Sequence, residues 1–364
     1  SRFAGKQSSA YIVNRMTNDS PLLRDILHQP QSLAETVDYQ FGAGRPALHE
    51  SARLMNGQRI LLSGMGSSLY ACCALSAELA QHGVASTVID TAELLHYHHH
   101  AYRDAVAVLV SRSGESVETL KLLPRLKVQG IRLIGVTDVA DSTLAREADA
   151  TVLIHGGKDH LVAVQSYTAT LIALSLLSAA LLRVFDATRA ELEMAINALN
   201  DYVPQCVDQS LAWRSFFDGA QVVHLLGRGR SIASIDEGAL LFNEVAKFPS
   251  VPKEAAQFRH GPVEIVDEHY RAIVFAPNDQ TRDLNIALAH ELSRLGGQVK
   301  VIGPGETDRD WWTTPAVSPA LAPLIEIVPV QCAAMRLAEW RGFTPGEFRV
   351  ATQVTRSESG FDKT

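Results

Sequence analysis

The chain has 364 residues, 46% of them hydrophobic and 20% charged, which excludes a disordered chain and allows two domains with proper cores. Its formal net charge of -7 argues against a general nucleic-acid binder, which would present a basic face.

The opening stretch Ser1–Gln7 is polar and reads as no secretory signal. Residues 11–55 read as helical and amphipathic, with Leu22, Leu23, Ile26 and Leu27 at helical spacing and Pro30 and Pro46 as punctuation. Arg59–Leu62 is a short buried strand that ends in the turn Ser63-Gly64-Met65-Gly66-Ser67-Ser68, and a helix over Leu69–His82 follows, closed by Gly83. Strands are expected at Ser86–Asp90, Ala105–Val110, Leu133–Thr137 and Thr151–Ile154. Helices are expected at Val117–Gln129, Thr143–Ala148 and Gln165–Phe185. The longest apolar region, Leu171–Val184, is broken by Ser175, Ser178 and Arg183 and suits a buried helix, so no membrane partner is expected.

The pattern then begins again. Ala220–Leu226 reads as a strand, Gly227–Ser231 as a glycine turn and Ile232–Val245 as a helix; Arg271–Ala276, Gln298–Ile302 and Leu324–Val328 read as further strands, with a helix over Thr281–Leu295. Alternating strands and helices imply an α/β fold, a doubly wound parallel sheet covered by helices on both faces. Two halves of like layout imply a duplication. The expected division is an amino-terminal helical segment (1–40), a first domain (41–190), a connecting helix (191–215) around Pro204, a second domain (216–345) and a tail (346–364). Cys72, Cys73, Cys206 and Cys332 contain no CxxC pair, and adjacent cysteines pair poorly, so reduced thiols of a cytoplasmic protein are expected.

The stretch Ser111-Arg112-Ser113-Gly114-Glu115-Ser116 joins a buried strand to a helix start. Hydroxyls, a glycine and free helix amides make a cradle for a dianion, most often a phosphate; the alternative is an ordinary loop with N-cap serines. Gly64-Met65-Gly66 begins like a dinucleotide fingerprint, but Leu69 stands where the third glycine belongs. Ser67 and Ser68 suit a sugar phosphate better, and no cofactor is expected.

These motifs together resemble the sugar isomerase (SIS) domain family, in particular the tandem-SIS proteins related to the isomerase half of glucosamine-6-phosphate synthase. The resemblance runs over roughly residues 40–360. Gly66-Ser67-Ser68 matches the family's first turn, Ser111–Ser116 its phosphate loop, and Val162-Ala163-Val164-Gln165-Ser166-Tyr167-Thr168 the segment opening the helix over the sugar. Gly227-Arg228-Gly229 matches the turn of the second half, Glu237–Glu244 the helix with the catalytic carboxylate, and His260-Gly261-Pro262 the HGP turn.

The resemblance implies two tandem SIS domains and a homodimer whose active site borrows a histidine from the neighbouring subunit. It implies Gly66, Ser67, Ser68, Ser111, Arg112, Ser113, Ser116, Val162 and Ala163 as the sugar-phosphate site, with Glu244 and His260 as the catalytic pair. Glu244 would move a proton between sugar carbons one and two, and His260 would open the ring. Taken alone, Glu244 reads sooner as a paired surface glutamate, and without Glu244 His260 reads as a turn histidine; the set of motifs turns both toward catalysis. The synthase's lysine three positions before the glutamate is Leu241 here, and the synthase's tail lysine aligns with Thr352, so a synthase-like Schiff base is not expected. With no glutaminase segment in these residues, glutamine is not the expected nitrogen donor. The expected activity is isomerisation of an aldose or ketose 6-phosphate, of an amino sugar by preference, with deamination or deglycation as outcomes. The alternative is a non-catalytic sugar-phosphate-binding regulator. Arg112 either grips the phosphate or turns away to an acid. His96, His98, His99 and His100 lack acidic or cysteine partners at metal spacing, so no metal is expected; a loop near the sugar or an interface is.

Overall fold

The computed structural model describes residues 20–305 and 310–360. The Ser1–Gln7 stretch and the first part of the amino-terminal helical segment lie outside the described residues.

Two helices, α1 (Pro21–Phe41) and α2 (Arg45–Met55), precede a first sheet. Its strands are β1 (Arg59–Gly64), β2 (Ser86–Asp90), β3 (Ala105–Val110), β4 (Arg132–Thr137) and β5 (Ala150–Leu153), in the order β2-β1-β3-β4-β5 and all parallel. Helices α3 (Ser67–Gln81), α4 (Val117–Val128), α5 (Thr143–Glu147) and α6 (Gln165–Leu181) connect or cover them. Helix α7 (Arg189–Gln209) leads to the second sheet of β6 (Val223–Gly227), β7 (Ser250–Glu254), β8 (Arg271–Phe275), β9 (Gln298–Gly303) and β10 (Trp311–Thr313). The order is β10-β9-β8-β6-β7, again parallel. Helices α8 (Ile232–Ala246), α9 (Arg282–Arg294) and α10 (Ala322–Trp340) complete this half.

The expected α/β architecture of two parallel sheets is what the chain forms. β3, Ala-Val-Ala-Val-Leu-Val, is buried along its whole length, as a central strand covered on both faces must be. The expected strand Leu324–Val328 is not a strand: it lies inside α10. A short apolar run reads alike in both states, and α10 is buried on every side, which removes the polar stripe that would have marked it. By length and composition α10 is the one described helix apolar enough to cross a membrane, and 94% of that window is packed inside the protein. Two strands carried no legible signal. β7 is a half-exposed edge strand containing Pro252, the position where a sheet tolerates proline, and β10 has three residues. Pro30, Pro124, Pro204 and Pro329 all lie within helices instead of ending them.

One core spans both halves, from Leu33 and Leu62 through Ile172, Ala173 and Leu174 on α6 to Phe242 and Val330. Helix α8 packs on both α10 and α3. This last contact positions the site, because α3 begins at the Gly66 turn and α8 carries Glu237 and Glu244, two helical turns apart on one face.

Candidate active site

In the first sheet the chain leaves β1 toward one edge and β3 toward the other. The crevice between their carboxyl ends is the topological switch point, where open α/β sheets bind ligands. A cleft of about 330 Å³ opens there. Gly66, Ser67 and Ser68 line it from the β1 turn, and Ser111, Arg112, Ser113 and Ser116 from the β3 loop. Leu161, Ala163, Ser166, Tyr167 and Thr170 form one wall, and Leu240 and Glu244 of α8 another. Phe348 and Thr352–Thr355 of the tail cross the mouth.

Local chemistry fixes the two turns. Gly66 has φ +52, and Gly114 has φ +64 with its missing Cβ only 2.2 Å from Ser142 Oγ, so neither place accepts a side chain. The Ser111 amide donates to Val136 O at 3.0 Å, continuing the sheet into the loop. Glu115 points away from the cleft: its carboxylate accepts Thr143 N at 2.5 Å and Thr143 Oγ1 at 3.1 Å, tying the loop to α5. Ser116 and Thr119 hydroxyls meet at 2.7 Å. Arg112 lines the cleft and forms no ion pair among the described residues, and its charge also acts on the Asp138 carboxyl. The opposite wall is held by Asp159, 3% exposed, whose carboxylate caps α6 by accepting Gln165 N at 2.8 Å, Ser166 N at 3.1 Å and the Ser166 hydroxyl.

The far end of the cleft carries one carboxyl group, that of Glu244. Burial pushes the Glu244 carboxyl up to about 7, against the pull of the Lys247 charge. Glu237 lies beneath, 1% exposed; burial holds its pKa well above the ordinary value, and its one partner is the Ser67 hydroxyl while Oε2 has none. Burial also raises Asp236 to about 6, and no lysine lines the cleft. Leu241 faces the core at 1% exposure, whereas Thr352 reaches the cleft. The cleft therefore has one end of hydroxyls, amides and a guanidinium, and another where Glu244 is half-ionised near neutral pH; Glu237 and Asp236 lie on the same helix outside the lining.

Two expected site residues lie apart from it. Val162 does not line the cleft; its side chain, 2% exposed, packs in the core between Leu161 and Ala163, which do. His260 is exposed and outside the cleft of its own chain. The histidine run is not at the cleft either. His96 Nε2 meets Glu358 at 2.8 Å, and Lys121 pairs with the same carboxylate, so they clasp the tail. His99 and His100 line a separate cavity. Among the described residues no group of three or more His, Cys, Asp or Glu is arranged to hold a metal. Sequence reasoning missed Thr170, Phe348, Gln353, Val354 and Thr355. The tail has no periodicity to read; it is fixed by single contacts, Val117 N to Thr355 O at 3.1 Å and Gln353 Nε2 to His160 O at 3.2 Å.

Comparison with known proteins agrees with this fold. The SIS domain model matches residues 53–181 and 219–307. The glutamine–fructose-6-phosphate aminotransferase (isomerizing) of Pyrococcus horikoshii is 26% identical over 349 residues, covering 92% of this chain and 57% of that protein. The chain thus spans little more than half the length of that relative. The C-terminal domain of glucosamine-fructose-6-phosphate aminotransferase from Francisella tularensis superposes with a TM-score of 0.75 at 20% identity, over 90% of this chain and 98% of that one. A glucosamine-6-phosphate deaminase from Thermotoga maritima gives 0.72 at 19% identity, over 92% and 99%. At such identities the structural likeness speaks for the fold. The family match covers the first sheet, four strands of the second and both switch points: the chain belongs to the SIS domain family.

Proposed function

We propose that the protein is a phosphosugar isomerase-type enzyme acting on an aldose or ketose 6-phosphate that carries nitrogen on carbon one or two. The observation that carries this reading is that the Ser111–Ser116 loop and Glu244 line one cleft. The names of the similar proteins, an isomerizing aminotransferase and an amino-sugar phosphate deaminase, support it.

The dianion would sit on the hydroxyls and amides of the serine loop with Ser67 and Ser68, and Arg112 would add a charged, forked donor. That anchor sets the other end of the sugar against Glu244. A carboxyl group with a pKa near 7 is a stronger base than an exposed one and still holds its proton part of the time. It would take the proton from the carbon beside the carbonyl and return it to the former carbonyl carbon, while a second proton passes from the hydroxyl or amine of the deprotonated carbon to the former carbonyl oxygen, so that bonds and charge balance without a cofactor. With no lysine at the cleft, nitrogen arrives on the substrate. Isomerisation of a 2-amino aldose gives a ketimine, which water converts to ketose and ammonia. Glu244, the carboxyl that lines this end, would when ionised also suit a protonated amine.

His260 would act in the cleft of a partner subunit in a homodimer. Chains carrying Glu244→Gln and chains carrying His260→Ala, each inactive, then regain activity in a mixed dimer; failure of a verified mixed dimer removes that part of the reading. One observation favours the second reading, a binding protein without turnover: a single chain lacks a histidine at its cleft. A screen of purified protein against amino-sugar, fructosamine and plain hexose 6-phosphates separates the two. Release of ammonia, free amino acid or isomerised hexose phosphate supports the enzyme. Tight binding with no product and no exchange of substrate hydrogen with solvent supports the binder.

A further inference from the structure

A second cavity, of about 720 Å³, opens between the His99–Tyr102 turn and the last turn of α4. All its ionisable lining groups are basic: His99, His100, Arg103 and Arg125. The whole chain carries net charge -7, so this acid-free concavity runs against the general balance. Two acids on nearby elements are engaged elsewhere. Glu147 of α5 pairs with Lys127, and Glu358 of the tail pairs with His96 and Lys121. Arg103 and Arg125 form no ion pair among the described residues, and neither does Asp104 beside Arg103. Arg125 spends one N–H on Leu95 O at 2.9 Å, which leaves the rest of its donors.

A second observation comes from His99. The residue is 8% exposed; its ring lies against the Leu94 and Leu95 backbone, with no hydrogen bond of good geometry at Nδ1. The ring lies 3.9 Å from that of His100, centroid to centroid. Burial, together with the charges of His100 and Arg125, holds the His99 pKa below its ordinary value. A basic side chain in the last turn of a helix offsets the helix dipole, and that accounts for Arg125. It does not account for Arg103, His99 and His100, which come from another segment. The chain just before them, Leu94–His98, is a π-helix, a rare form that recurs at functional positions.

We propose that this cavity is a binding site for a phosphate group, separate from the cleft. Two guanidinium groups offer paired N–H donors to the oxygens of a dianion, and the imidazoles complete the ring of donors. The anion would neutralise the mutual repulsion of the basic groups. None of these residues serves the proposed catalytic cleft, so the site stands or falls independently of that function.

The test is calorimetric titration of the full-length protein with inorganic phosphate and, separately, glycerol 3-phosphate, at physiological salt. The variants are Ser113→Ala, which weakens the cleft, and the double variant Arg103→Ala/His100→Ala, in which both replaced side chains are exposed and the fold is left intact. The expected result is two phosphate sites per chain in the unaltered protein. The double variant loses at least tenfold in affinity at one site and leaves the other unchanged, and Ser113→Ala does the reverse. The tighter of the two probes tells whether free phosphate or a phosphate ester is held. A single site per chain that the double variant does not alter overturns the proposal. So does a second site that vanishes at physiological salt, because that is counter-ion attraction only.

Discussion

The two sheets are built alike, yet only one presents a free anion cradle at its switch point. Between β1 and β3, short hydroxyl side chains and Arg112 face an open cleft. Between β6 and β8, the corresponding turn carries arginines whose needs are met inside the protein. Arg228 reaches Asn285 Oδ1 at 3.1 Å and Glu254 at 3.5 Å, and Arg230 pairs with Glu78 at 2.6 Å. Arg282 donates to Ala276 O at 2.9 Å, in the loop where a serine cradle would stand. Below, Glu326 accepts Ser231 Oγ at 2.9 Å and Ser234 Oγ at 2.7 Å. Topology supplies a crevice in both halves. The satisfaction of its polar groups decides which crevice can take a ligand, since a donor already paired gains little from a new acceptor. The second half contributes α8 instead, and with it Glu244.

The sharpest way to break this division of labour is Glu244→Gln. Removing the base should lower turnover by about 10²–10⁴-fold and stop exchange of the substrate's carbon-bound hydrogen with solvent, with sugar-phosphate affinity retained. Undiminished exchange would return Glu244 to a structural role. In the unaltered protein the pH profile of kcat/KM should rise through about 7, because the base works ionised and burial has moved it there; a rising limb near the ordinary glutamate value of 4.5 contradicts the assignment. Next in size is Arg112→Ala, which removes a charged donor from the cradle. Affinity for sugar 6-phosphates should fall by roughly tenfold to a hundredfold, the worth of a hydrogen bond to an ionised group, while affinity for unphosphorylated sugars is unchanged.

The satisfied half gives a different signature. The buried Glu326 carboxyl is raised to about 7 from an ordinary 4.5, so folding favours its neutral form. Its contribution is complete below about 4.5 and is lost as pH rises through about 7. Glu326→Gln should therefore gain on the unaltered protein between pH 5 and pH 8 by about 2–3 kcal/mol, read by chemical denaturation at both pH values. An unchanged difference would mean that the carboxylate is ionised at little cost. The smallest effect concerns the tail. The Glu358 clasp on Lys121 and His96 is screened by solvent, so it contributes little to global stability. Glu358→Gln should leave the melting temperature nearly unchanged but speed amide exchange over residues 350–360; unaltered exchange shows that other contacts hold the strap.

Much of the first half was legible because its chemistry is local. A strand running into Ser-Arg-Ser-Gly-Glu-Ser and then a helix is contiguous in sequence, and the Gly66 turn repeats the arrangement. The α8 carboxylates were legible through motif order, with their burial unreadable until α3 and α10 packed against that helix. α10 was misread as strand because uniform burial erases periodicity. His260 shows the limit of a motif: the HGP turn is where sequence matching put it, but the motif does not tell which cleft the ring serves. The tail's course over the mouth depends on isolated contacts such as that of Val117 N with Thr355 O, and no local pattern encodes those.

The central claim is that one pocket holds the phosphate at the serine loop and the reacting carbons at Glu244. A crystal structure of the protein with glucosamine 6-phosphate bound tests it directly. The account predicts the phosphorus within hydrogen-bonding reach of Ser111, Ser113 and Ser116, and carbons one and two beside the Glu244 carboxyl. A sugar whose phosphate lies in the second half, or whose first two carbons face away from Glu244 in every subunit, contradicts it.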